Sequence, residues 1–145
     1  MIVATPVSPW LRLLALVYDL FPLLGLWMLA TAVALLAAHG DVDVAHPPAA
    51  YRAALQAALL LVGAAYFVAS WSRGGQTIGM RAWRMRVVDE QGQALPWPRA
   101  LLRFAVALVS AAAAGLGFLW CFVDARGRAW HDLAARSVVV RLPRA

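Results

Sequence analysis

The chain predicts an all-α integral membrane fold: two firm transmembrane helices, a third helix that is broken and re-entrant or spanning, and a small cytoplasmic β element. Three observations carry this. Of 145 residues, 63% are hydrophobic and 14% charged, and the apolar residues gather in runs of about twenty that a globule this small cannot hide. The polar residues collect between and after those runs, at 72–100 and 124–145. Within these basic stretches, Met85 to Val88 and Ser137 to Leu142 have the β-branched content of short strands. One domain over residues 1–145 is the expectation for this length.

Residues 1–10 hold two prolines and end in Trp10, a residue suited to the membrane–water interface. The first helix is expected over about 11–38. Its segment from Leu13 to Ala38 carries one charge, Asp19, and is long enough to cross a ~30 Å hydrocarbon layer. Pro22 removes a backbone donor just past Asp19, so it is either a kink beside the carboxylate or an ordinary membrane-helix proline. The run is too long for a typical signal-peptide core and reads as a retained anchor, although Leu36-Ala37-Ala38 leaves a cleavage site open. Residues 39–48 form a loop with two aspartates and no arginine. A second apolar helix covers about 49–71. The loop 72–100 follows, with one strand, a turn at Gly92 and a weaker second strand broken by Pro96. The third apolar stretch covers 101–123 and contains Gly115-Leu116-Gly117. No internal repeat is evident.

All thirteen basic residues are arginine and the net charge is +6. On a membrane protein this records orientation and attraction to anionic lipid headgroups, and does not call for nucleic acid. Arginine bias places the 72–100 loop and the N-terminus in the cytoplasm. The tail is equally basic, which conflicts with a third full crossing. Either that helix spans against the bias, or Gly115-Leu116-Gly117 breaks it into a re-entrant hairpin and returns the tail to the cytoplasm. Cys121 is the only cysteine, so no intrachain disulfide or thiolate metal cage is expected.

Asp19 is the first candidate functional residue, since a carboxylate in a spanning helix costs roughly 2.5–3.5 kcal/mol unless it is accompanied. Arg12 lies two turns before it on the same face, about 10.5 Å away along the axis, too far for a direct pair. Arg12 is expected at the headgroup level, and Asp19 is expected to meet Arg103 or His131. The second candidate is the loop Gly74, Gly75, Gln76, Thr77 and Gly79, which lacks the lysine and spacing of a phosphate-binding P-loop and reads as a membrane-surface turn. The third is His131 beside Asp132, weak evidence for acid–base or metal chemistry. No Ser/His/Asp triad, catalytic carboxylate pair or metal-spaced cluster is visible. The expectation is a non-enzymatic protein without metal or cofactor.

Together these residues resemble the RDD family of small bacterial membrane proteins, named for one arginine and two aspartates. The carriers are Arg12 to Asp19, Gly74-Gly75-Gln76-Thr77-Ile78-Gly79-Met80-Arg81, Arg86-Val87-Val88-Asp89 with Gly92, the segment Ala100 to Arg103, and His131-Asp132-Leu133-Ala134 leading to Val140. Asp132 matches the second aspartate. Met80 stands where lysine is usual, and Ser137 where threonine is common. The resemblance implies a multi-pass protein of the bacterial inner membrane that transports ions or small solutes, cation/proton exchange being attributed to some relatives. The alternative is a non-transporting scaffold or accessory subunit of a membrane complex. So thin a bundle cannot enclose a pore alone, so a homo-oligomer or a membrane partner protein is expected.

Overall fold

The structure, a computed structural model, describes residues 7–39 and 41–143. Residues 1–6, Gly40, Arg144 and Ala145, assigned above to the leading segment, the outer loop and the basic tail, lie outside the described residues. Two long helices dominate: α1 (Pro9–Ala37) and α2 (Ala49–Arg73). Both are long and apolar enough to cross a membrane, and only 6% of each apolar window is buried by the rest of the chain. Their outward faces are therefore built for acyl chains. They pack against each other through Trp27, whose indole N–H donates to the Leu59 carbonyl at 2.9 Å beside the buried Gly63.

After α2 the chain turns through Gly74 to Thr77 into a short helix, α3 (Ile78–Ala82), and then strand β1 (Met85–Asp89). Helix α4 (Trp97–Ala112) follows, beginning four residues earlier than expected because Pro98 suits a helix's first turn. The expected second strand before it does not form. Pro96 has no N–H to give a ladder, and the Val87 N–H instead reaches the Gly75 carbonyl at 2.7 Å.

The third apolar segment is broken. Ala114 and Gly115 both adopt left-handed backbone (φ 54° and 79°), and the chain turns by 108° from α4 into α5 (Leu116–Leu119) and a 3₁₀ turn at Trp120–Phe122. Helix α6 (Trp130–Ala134) and strand β2 (Ser137–Arg141) complete the fold. β2 pairs antiparallel with β1, with Val87 opposite Val139. Strands sharing a hydrogen-bond ladder lie on one side of a bilayer. The tail therefore lies on the side of the 72–100 loop, and the third apolar segment is a bent α4–α5 pair rather than one straight helix.

The two strand-bearing segments share one backbone conformation. Each has a left-handed glycine (Gly75, Gly127), an extended N-cap (Thr77, Ala129), a five-residue helix, a left-handed arginine (Arg84, Arg136) and a five-residue strand. The offset between counterparts is constant and equals that between Val87 and its partner Val139, so the ladder relates the units by a pseudo-twofold axis. This corrects the expectation of no repeat. The buried core lies at this end, where Trp71, Met85, Val87, Leu95, Ala100, Ala135 and Val139 pack together.

Candidate functional site

Each repeat unit surrounds one buried carboxylate. In the first, α3 lies along α1 so closely that a Cβ at Gly79 would stand 2.0 Å from the Ala15 carbonyl oxygen. That approach brings the start of α3 onto Asp19, which is 2% exposed. The Tyr66 hydroxyl and the Gly79 N–H donate to Asp19 Oδ1 at 2.7 and 2.8 Å, and the Thr77 hydroxyl donates to Oδ2 at 2.6 Å. Thr77 is also the N-cap of α3, its oxygen accepting the Met80 N–H at 3.2 Å. Tyr66 in turn accepts the Ile78 N–H at 3.2 Å. Every donor to Asp19 is neutral, and among the described residues no cation reaches it within salt-bridge distance.

The cations are at the second carboxylate. Arg12 Nη1 meets Asp132 Oδ2 at 2.6 Å, and Arg103 Nη1 is paired with Oδ1. The Ala129 N–H donates to Oδ2 at 3.0 Å, as an acidic third residue does at a helix start. Arg103 also donates to Ser137 Oγ at 2.8 Å, and its guanidinium lies 4.8 Å above the Trp71 ring. Asp132 is fully buried and Arg103 is 2% exposed. α1, α4, α6 and the start of β2 therefore meet in one charge cluster. Burial by itself, the largest single influence, would raise the Asp132 carboxyl, but Arg103 together with the other neighbouring groups, Arg12 and the Ala129 N–H among them, outweighs it and holds the group well below the usual carboxylate range. Burial, aided by Arg103, drives His131 down to about 3. Its 3.6 Å approach to Asp132 is therefore not an ion pair at neutral pH.

The structure thus places the expected residues differently from the sequence-based pairing. Arg103 and His131 accompany Asp132, not Asp19. Arg12 ends on a carboxylate rather than at the headgroups. Gly74, Gly75, Gln76, Thr77 and Gly79 are not a free surface turn. Gln76 donates to the Met85 carbonyl at 2.7 Å, Gly75 accepts from Val87, and Thr77 and Gly79 hold Asp19. Sequence reasoning missed Tyr66, and it met Ser137 only as a position where the family commonly has threonine, not as a partner of Arg103. Tyr66 had one available signal: a hydroxyl in the last third of an apolar helix needs a partner. Among the described residues no three His, Cys, Asp or Glu side chains converge as a metal site would require.

No curated protein and no solved structure matches the chain. The family model described as the RDD family matches residues 6–136, a span that holds the arginine and both aspartates just described, and the chain belongs to that family.

Proposed function

We propose that the chain is a non-enzymatic membrane transporter that exchanges protons for small monovalent cations, with Asp19 as the exchanging carboxylate. The observation that carries this is the asymmetry between the two acids. Asp132 has two arginines, whereas Asp19 is buried in a spanning helix with neutral donors only. An anion without a countercharge in a poorly hydrated place gains most from taking up a proton or a hard cation. Rotation of the Tyr66 and Thr77 hydroxyls would turn lone pairs toward such a cation, and the Ala15 carbonyl lies against the same spot. Two spans and a re-entrant pair do not wall off a pathway, so a second copy or a membrane partner supplies the remaining surface. The family supports a bacterial inner membrane location, and the arginine bias supports an N-terminus in the cytoplasm.

A scaffold role is the second reading, favoured by the fact that both Asp19 oxygens already accept hydrogen bonds. Reconstituted protein with a trapped pH dye, challenged with Na⁺, K⁺ or Li⁺ gradients, separates the two. Transport predicts proton flux that Asp19→Asn abolishes while the protein stays folded. Flux that survives the substitution, or no flux from the wild type under any gradient, overturns the exchange reading and leaves the scaffold.

A further inference from the structure

A groove of about 290 Å³ opens at the corner between α2 and α3, outside the two carboxylate centres. Arg73, the last residue of α2, and Arg81 on α3 line its mouth. Both are exposed, and among the described residues neither enters an ion pair or donates a side-chain hydrogen bond. Arg81 Nη2 lies 4.0 Å from where a Gly74 Cβ would stand, so the guanidinium rests over bare backbone at the helix end. Two like charges beside one small cavity repel each other, and an anion between them removes that repulsion. Among the described residues no carboxylate lines the groove, and Asp19, bonded to Tyr66, is held by its three donors.

The groove is graded in polarity. Tyr66, Ala69 and Ser70, and Arg73 recur at helical spacing on one face of α2 and span about 10.5 Å along its axis. The Tyr66 hydroxyl is committed to Asp19 and to the Ile78 N–H, so the groove meets mainly its ring. Ala69 and Ile78 add apolar surface to the lining beside the arginines, and Ile78 is 54% exposed. A soluble phosphate would use the mouth alone. A phospholipid would use both parts, its phosphate between the arginines and its first acyl carbons on Ala69 and Ile78. We propose that this groove seats the headgroup phosphate of one anionic phospholipid between Arg73 and Arg81. The proposal is independent of whether Asp19 exchanges ions.

The test uses the full chain purified in a neutral detergent. Native mass spectra and thermal unfolding are recorded with added phosphatidylglycerol, with phosphatidylcholine, or with inorganic phosphate at the same concentration. One retained phosphatidylglycerol and a raised unfolding temperature are expected, with little effect of the other two. Arg73→Gln with Arg81→Gln should weaken retention roughly thirtyfold, about fivefold for each charge. Arg52→Gln, at the far end of α2, should leave it unchanged. Ser70→Asp, which puts a negative charge in the groove without touching either arginine, should weaken it as well and covers the case in which the double variant fails to fold. Retention by the folded double variant equal to wild type overturns the site, as does equal retention of phosphatidylcholine. Equal stabilisation by inorganic phosphate overturns the lipid assignment.

Discussion

Asp132 is the buried carboxylate that two arginines accompany. Its two arginines differ in surroundings, Arg103 being 2% and Arg12 16% exposed at the side chain. Asp132→Asn leaves Arg103 as a buried, uncompensated cation, and a loss of roughly 3–5 kcal/mol is expected. Arg12→Gln should cost less, because water already reaches that end. Thermal unfolding in detergent checks both, and an Asp132→Asn protein as stable as wild type would refute the assignment. His131 adds a pH dependence of defined sign. Its folded value, near 3, lies below the ordinary 6.5. As pH falls below 6.5 the unfolded chain binds a proton that the folded chain refuses, so stability is lost by up to about 1.4 kcal/mol per pH unit. Between pH 6.5 and 4.5 the Asp132 carboxyl stays ionised in both states, so His131→Asn should flatten the unfolding temperature over this window. An unchanged slope would place the titration elsewhere. At this scale the sequence identifies which side chains are too polar for their surroundings, but not who meets whom. Asp19 and its donors Thr77 and Gly79 are separated by a whole helix, and a hydroxyl or backbone N–H satisfies a carboxylate without leaving a charge pattern to read.

Among the elements, the long helices and both strands follow from apolar run length and β-branched content, and they appear where those signals fall. The broken third segment was visible in Gly115 and Gly117, but its 108° bend depends on Ala114 sharing the left-handed conformation, which no alanine advertises. The repeat was hidden because its units share a backbone course and few residues, chiefly Gly75 with Gly127, Arg84 with Arg136, and Val87-Val88 with Val139-Val140. Gly117 shows how tightly the bend is closed. A Cβ there would lie 1.8 Å from Ser110 Oγ and 2.8 Å from Trp130 Cε3. Gly117→Ala should therefore cost about 1–3 kcal/mol through overpacking, and adding Ser110→Gly should recover part of it. Gly25→Ala, with nothing within 4 Å of the new carbon, should be neutral or slightly stabilising. Thermal unfolding of the three variants decides this, and a harmless Gly117→Ala would mean that α5 does not seat on α4.

Across the whole molecule, counting arginines and counting apolar runs disagree about the tail, and neither count alone resolves the conflict. What decides it is a pairing between residues far apart in the chain. Val87 faces Val139 in a ladder, and the Arg12–Asp132 ion pair ties the start of α1 to the same end. A chain with two crossings and one re-entrant bend satisfies both contacts, whereas three crossings would put a bilayer between β1 and β2. Single cysteines at Gln91, Arg141 and Asp43, each in a Cys121→Ala background, make this measurable. Gln91 sits in the turn after β1, Arg141 ends β2, and Asp43 lies in the loop joining α1 to α2. An impermeant maleimide should reach positions 91 and 141 from one common side and position 43 from the other. With the arginine-rich face inward, 91 and 141 should be labelled only after the cells are opened. Labelling of 141 from the same side as 43 would show that the third segment crosses, and the β1–β2 ladder could not then exist in the membrane-inserted protein.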